Sequence, residues 1–247
     1  MEESSLLEVL GDAGRAVAAA LVGVTDWGLS GQKDDQYSLD LTADAAALEV
    51  LHRAGLAVLS EESGLTNAGA SLLAVLDPVD GSTNASRGVP WFATSICVLD
   101  GEGPLAALVV NQASGWCYEA VRGAGATKDG RSIRPSGATG LDHAIVGVSG
   151  LPASAPPWWQ TRALGAAALD LCAVAEGLLD GFCSYGPEGL GPWDYLGGLL
   201  VCQEAGAVLA EAGDQALVAR EIAARGHPVA AATPELLGQL VRFRKIG

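Results

Sequence analysis

One eight-residue string, Asp77-Pro78-Val79-Asp80-Gly81-Ser82-Thr83-Asn84, constrains this chain more than any other feature, because it follows directly on the short apolar run Leu72–Leu76. An apolar run of that length, cut off by polar residues, reads as a buried strand. Its C-terminal end therefore carries a burst of polar groups. Pro78 and Gly81 impose a turn between two carboxylates three residues apart. Such a turn aims Asp77, Asp80 and the Val79 carbonyl into one pocket. Hard oxygen ligands of this kind suit Mg²⁺ or Mn²⁺ rather than a thiophilic metal. Gly81, Ser82 and Thr83 then offer successive backbone N–H groups, and a helix starting there presents its positive end to a phosphate. Asp-Pro and Asp-Gly pairs alone are ordinary turn chemistry. Two acids, two hydroxyls and an Asn together exceed what a turn requires.

Three further acidic points stand at element ends. Ser60-Glu61-Glu62-Ser63-Gly64 follows the apolar run Leu56–Leu59, where paired acids at a strand end can complete a metal site. Taken alone it reads as a solvated loop. Asp194, in Pro192-Trp193-Asp194, opens a helix, where an acid is also a common cap. Asp44 falls in the first turn of a helix read over Thr42–Ala54 with Thr42 as its cap. His52, His143 and His227 lie outside all these motifs and read as structural.

The spacing of Leu6, Leu7, Leu10, Ala13, Val17, Ala20, Leu21 and Val24 predicts an N-terminal amphipathic helix over Leu6–Val24. Strands at Thr94–Leu99, Leu105–Val110 and Trp116–Val121, separated by Gly- and Asp-rich turns, predict an antiparallel sheet. A polar, Gly-rich stretch over Ser136–Asp142 sets a boundary between a half at 1–140, with most of the candidate ligands, and a half at 141–247. The second half reads as a strand at Ala144–Val148, helices at Gly165–Leu179 and Trp193–Ala205, strands at Val208–Glu211 and Val229–Ala232, and a closing helix from Pro234 to Arg244. The order predicts layered α/β sandwiches with a site between the halves.

The formal net charge is -15, which disfavours nonspecific contact with nucleic acid or anionic membrane. An anionic substrate is repelled too, unless divalent cations reverse the local sign. The five cysteines show no CxxC spacing and read as reduced, mostly buried thiols. The N-terminus lacks the pattern of a signal peptide and no apolar run spans a bilayer, so the expectation is a cytoplasmic protein with no membrane partner.

With Glu61-Glu62, the string at 77–84 and Trp193-Asp194 in hand, the chain resembles the inositol monophosphatase family from Lys33 to the last helix. The resemblance implies the αβαβα sandwich of the inositol monophosphatase and fructose-1,6-bisphosphatase type. It implies a lithium-sensitive, Mg²⁺-dependent phosphomonoesterase and, commonly, a homodimer. Carried onto this sequence, Glu61, Asp77 and the Val79 carbonyl would hold one metal, and Asp77, Asp80 and Asp194 a second. Glu62 would orient a water beside them, near a weaker third ion. Ser82 stands where the family usually has Thr, and with Asp44 it would position and deprotonate the attacking water. The Gly81 and Ser82 N–H groups would hold phosphate, and Lys33 matches a lysine of a mobile loop. Gly165, Ala166 and Ala167 align with a Gly-Thr-Ala stretch that touches inositol, so the threonine is missing here. Ser184 aligns with a glutamate that receives a ring hydroxyl. The segment from Ser184 to Asp194 is longer than in those enzymes, and Glu188 within it stands as a replacement carboxylate. Inositol monophosphate leads as the small phosphorylated substrate. Histidinol phosphate, fructose 1,6-bisphosphate and 3′-phosphoadenosine phosphates, served by related families, are the alternatives. Some bacterial members also assist transcription complexes, so a protein-binding role is a further reading; direct nucleic-acid contact is not expected at this charge.

Overall fold

The computed structural model describes residues 3–24, 27–31, 36–213 and 215–246. Two helices open the chain, α1 (Glu3–Val22) and α2 (Ser38–Arg53). Strands β1 (Ala57–Ser60), β2 (Gly64–Thr66) and β3 (Leu73–Asp80) lead into a short helix α3 (Ser82–Arg87). Then come β4 (Ala93–Asp100), β5 (Gly103–Asn111), β6 (Cys117–Val121), β7 (Gly125–Lys128) and β8 (Arg131–Ser132). The rest alternates: β9 (Ile145–Ser149), β10 (Gln160–Arg162), α4 (Ala167–Ala175), β11 (Gly181–Ser184), α5 (Pro192–Ala205), β12 (Val208–Glu211), β13 (Pro228–Ala231) and α6 (Pro234–Ile246).

Two sheets result. The first has eight strands in the order β2-β1-β3-β4-β5-β6-β7-β8, antiparallel except for the β1–β3 pair. The second has five, in the order β10-β9-β11-β13-β12. Three apolar clusters glue the layers. Leu6, Leu10, Ala13, Val17 and Leu21, on one stripe of α1, pack with α2 residues against Val58, Leu76, Ile96 and Leu108 of the first sheet. Helices α4 and α5 are apolar on nearly every side, because they lie between the two sheets. Leu236 and Leu240 of α6 close the outer face of the second sheet against Val146, Val229 and Ala231. The layers therefore run helix pair, sheet, helix pair, sheet, helix, which is the αβαβα sandwich. Among the described residues all five cysteines are free. Cys172 and Cys202 lie in the central helix layer, Cys97 of β4 packs against it, Cys183 lies in the outer cluster and Cys117 is half-buried at its strand.

Two of the boundaries that differ from the sequence reading matter at the site. Helix α2 starts at Ser38, a full turn before Thr42, whose hydroxyl lies 3.3 Å from the Ser38 carbonyl inside the helix. The chain enters helix early because Asp40 caps it, accepting the Tyr37 N–H at 2.9 Å. Strand β3 does not stop at Leu76. It continues to Asp80, and the pairing shifts between Asp77, opposite Ser95, and Asp80, opposite Ala93. The extra residue is a bulge at Pro78–Val79, where proline has no N–H to give the ladder and the Pro78 carbonyl takes the Thr94 hydroxyl instead, at 2.9 Å. The strands β2, β7, β8, β10 and β11 had no counterpart in the sequence reading, whereas α3 forms where a helix start was read after Gly81.

Candidate active site

The bulge sets the site. Asp77 leaves β3 buried, its Oδ1 accepting the Val79 N–H at 2.9 Å. At the parallel neighbour β1, the next residue is Glu61, whose N–H bonds the Leu76 carbonyl at 3.2 Å. Asp194 arrives from the first turn of α5, its Oδ2 accepting the Gly191 N–H at 2.7 Å. One carboxylate oxygen from each of Glu61, Asp77 and Asp194 lies within 4.8 Å of the others. Burial, and then the charge of Glu61, Asp80, Asp194 and Asp40, pushes the Asp77 carboxyl well above the usual range. Burial likewise raises Asp194 to about 6, with the Gly191 N–H and Arg225 opposing.

Asp80 sits beside this cluster on different partners. Its two oxygens accept the N–H groups of Ala167 at 3.2 Å and Ala168 at 2.7 Å, the first amides of α4. These amides need an acceptor at a helix start. Burial, followed by the Asp194 charge, still raises Asp80.

Gly81 has φ 90°, and a side chain there would meet the Gly165 carbonyl at 3.0 Å and the Trp91 carbonyl at 3.1 Å. Only glycine fits this close crossing of the α3 and α4 starts. Asn84 spans the same crossing, donating to the Trp91 and Leu164 carbonyls at 2.7 Å each. The Ser82 hydroxyl oxygen lies 2.6 Å from Asp40 Oδ1 and 2.8 Å from the Val79 carbonyl oxygen. Burial raises Asp40 to about 6, against the Ser82 and Tyr37 hydrogen bonds.

Asp40, the acid that the structure places on the Ser82 hydroxyl, was not singled out in the sequence. The structure puts Asp44 one turn further along α2, where the Ser60 hydroxyl donates to it. An earlier helix start was the available signal, since Asp40 is the acid of the true first turn. Glu62 receives the Gln36 side-chain amide. Lys33 lies outside the described residues. Gly165, Ala166 and Ala167 line a cavity of about 180 Å³ with Asp80, Asp170 and Asp194. Asp170 was also missed: it is buried, receives the Trp91 indole N–H at 2.9 Å and is raised to about 7 by burial. Ser184 is buried, and its hydroxyl has no hydrogen-bond partner among the described residues. Glu188 is exposed on the turn between β11 and α5. Leu190, nearer to α5, faces the cavity and is pinned by paired backbone bonds with Gly226, each 2.8 Å.

A layered αβαβα sandwich with acids converging from a bulged strand, its neighbour and a helix start defines the class of metal-dependent phosphatases. The model of the inositol monophosphatase family matches residues 13–245, and the chain belongs to that family. The chloroplastic phosphatase IMPL1 of Arabidopsis thaliana is 33% identical over 200 residues, which cover 71% of this chain and 53% of that protein, so the chain spans about half the length of this relative. A fructose-1,6-bisphosphatase/inositol-1-monophosphatase of Aquifex aeolicus is 31% identical over 74% of this chain and 75% of its own length. Nus factor SuhB of Escherichia coli K12 is 32% identical, with 73% of each chain covered. In three dimensions, the extragenic suppressor protein suhB of Bartonella henselae superposes with a TM-score of 0.83 at 26% identity, over 98% of this chain and 99% of that one.

Proposed function

We propose that the chain hydrolyses a small phosphorylated polyol or sugar, inositol monophosphate foremost, by cation-assisted attack of water on phosphorus. The convergence of Glu61, Asp77 and Asp194 carries this reading. The donor set fits Mg²⁺ or Mn²⁺: all the ligand atoms are hard oxygens, and their mutual repulsion is relieved by a cation. Glu61, Asp77 and the Val79 carbonyl would hold one ion, with Asp194 and Asp80 completing a second position. Bound divalent ions would neutralise the phosphate dianion and acidify the attacking water.

The chain's own groups do the rest. The Gly81 and Ser82 amides hold the phosphate at the α3 start. Ser82 orients the water, and Asp40, linked to the Ser82 hydroxyl at 2.6 Å, takes the proton. This reading gives Asp40 the part that the resemblance assigned to Asp44. Glu62, fixed by Gln36, orients water at the rim. Gly165, Ala166, Ala167 and Ser184 shape the alcohol side, and Lys33 and Glu188 belong to loops that border it. The further expectations are inhibition by lithium, a homodimer and residence in the cytoplasm. Among the described residues no helix is long and apolar enough to cross a membrane.

A second reading keeps the chemistry and changes the ester. Ala166 and the unpaired Ser184 remove the polar partners expected for a ring hydroxyl, which lowers selectivity for inositol. The relative named for both fructose 1,6-bisphosphate and inositol 1-phosphate favours a sugar bisphosphate as that ester. Phosphate release from inositol 1-phosphate, fructose 1,6-bisphosphate, histidinol phosphate and 3′-phosphoadenosine 5′-phosphate, with Mg²⁺ and with EDTA, tests both. Mg²⁺-dependent release that Asp194→Asn abolishes supports the phosphatase reading and ranks the esters. Release insensitive to EDTA overturns it. No release from any ester favours a protein-binding role, in keeping with the Nus-factor relative.

A further inference from the structure

A broad concavity lies away from the acids, at the opposite end of α4. Its volume is about 860 Å³, within the range of small-molecule sites. The β7–β8 hairpin and the segment after it form one wall, and Glu176 and Gly177, just beyond α4, form the other. Helix α4 separates it from the Ala168–Asp80 contact by about 12 Å at 1.5 Å per residue.

The lining reverses the sign of the molecule. The chain has 29 acids against 14 lysines and arginines. Three of those cations, Lys128, Arg131 and Arg134, meet at this cavity. The acids that share it are already engaged. Asp129 Oδ1 accepts the Cys117 N–H at 3.0 Å. Glu176 accepts the Tyr118 hydroxyl at 2.7 Å and the Lys128 ammonium at 2.9 Å. Lys128 is also held over the Trp116 ring, 3.6 Å from its centroid, so its position is fixed. Glu176 neutralises Lys128, and with Asp129 counted the lining keeps a net charge of +1 in a chain of -15. Among the described residues no acid lies within ion-pair distance of Arg131 or Arg134.

We propose that this cavity is a second anion site, taking a small phosphorylated metabolite on Arg131 and Arg134 with no part in the hydrolysis. Arg131 and Arg134 both line the cavity, guanidinium groups suit bidentate contact with phosphate oxygens, and the fixed Lys128 adds a further donor. Concavity on this scale favours a small ligand over an acidic protein segment. The site is independent of the phosphatase chemistry, because none of its residues touches the acidic cluster.

Pyrophosphate is the probe. Calorimetric titration of the full chain in EDTA keeps anions off the acidic cluster, which repels them without cations. Saturable binding is expected for the wild type and for Asp194→Asn. Arg131→Ala/Arg134→Ala should weaken it about tenfold or more, and lysines at both positions should restore part of it. Arg134→Gln alone serves as a milder variant should the double alanine disturb the hairpin. Mg²⁺-dependent phosphate release should be unchanged in the arginine variants. Absence of saturable binding, or equal binding by the arginine variants, overturns the proposal. Binding of a polyglutamate peptide without binding of pyrophosphate also overturns it, in favour of a protein-docking face.

Discussion

At Ser82 a single hydroxyl proton faces two acceptors, the Asp40 carboxylate and the Val79 carbonyl. Above the Asp40 pKa of about 6, the carboxylate is free to accept; below it, Asp40 is itself a donor and the relay reverses. We expect kcat to fall as pH drops below about 6, and Asp40→Asn to lower kcat about 100-fold and remove that limb of the profile. Asp44→Asn should stay within about threefold, because Asp44 serves the Ser60 hydroxyl, which Asn also accepts. Steady-state kinetics of the two variants against pH separates them, and a larger loss in Asp44→Asn would return the role to Asp44. The difference between these two acids also shows what was legible at this scale. The string 77–84 and the acids at 61 and 194 announced themselves through type and position. Asp40 did not, because a cap is recognised only once the helix start is known, and Thr42 was an equally good cap by composition.

Among the elements, the start of α3 is the least tolerant. Gly81 combines φ 90° with backbone carbonyls at 3.0 and 3.1 Å from any added Cβ, and neither carbonyl is the end of a flexible side chain. Gly81→Ala should cost about 1–3 kcal/mol, read as a Tm lower by roughly 5 °C, with phosphate release lost beyond what the fall in stability explains. A variant with normal Tm and normal turnover would show that the crossing of α3 and α4 is looser than described. Among the elements that the sequence revealed, α1, β4, β5, α5 and α6 stood out by long apolar stripes or runs, and α2, α4, β6, β9, β12 and β13 by shorter ones. The strands β2, β8 and β10 are two or three residues long and partly or fully exposed, so no alternation marks them. β11 is fully buried over Gly181–Ser184, but the run is too short and too mixed to stand apart from the end of α4. The bulge in β3 was hidden because Asp-Pro is a stop signal in most strands.

Across the whole molecule, the acids buried between the layers set an unusual pH dependence. Asp40 and Asp194 are raised to about 6 and Asp170 to about 7, chiefly by burial, and Asp77 and Asp80 move the same way. In an unfolded chain these carboxyls titrate near 4. Without metal, the folded state therefore binds more protons than the unfolded state between about pH 4 and 7, so stability falls as pH rises through that window. Tm in EDTA should be at least about 3 °C higher at pH 5.5 than at pH 7.5. Saturating Mg²⁺ should shrink or reverse the difference, because a cation favours the ionised acids. A Tm that rises with pH in EDTA would contradict the packing of these groups. The layered architecture itself was legible in the order of elements. The meeting of the acids was legible only through the family resemblance and not from composition or spacing, since α5 and β3 are brought together by the packing of α5 against the first sheet.

The thiols offer a reporter that the fold supplies without labelling chemistry of its own. Burial raises the pKa of Cys172 and Cys202 in the central layer, of Cys97 on β4 facing it, and of Cys183 beneath α6. A protonated thiol is a poor nucleophile, so a maleimide or iodoacetamide must wait for the layer above it to lift. Each cysteine is then a clock for its own layer. Mass spectrometry of the order in which they become alkylated would map which seam of the sandwich breathes first. Slower alkylation of Cys172 and Cys202 than of Cys183 would show that α6 parts from its sheet while the helices behind the acidic cluster stay shut.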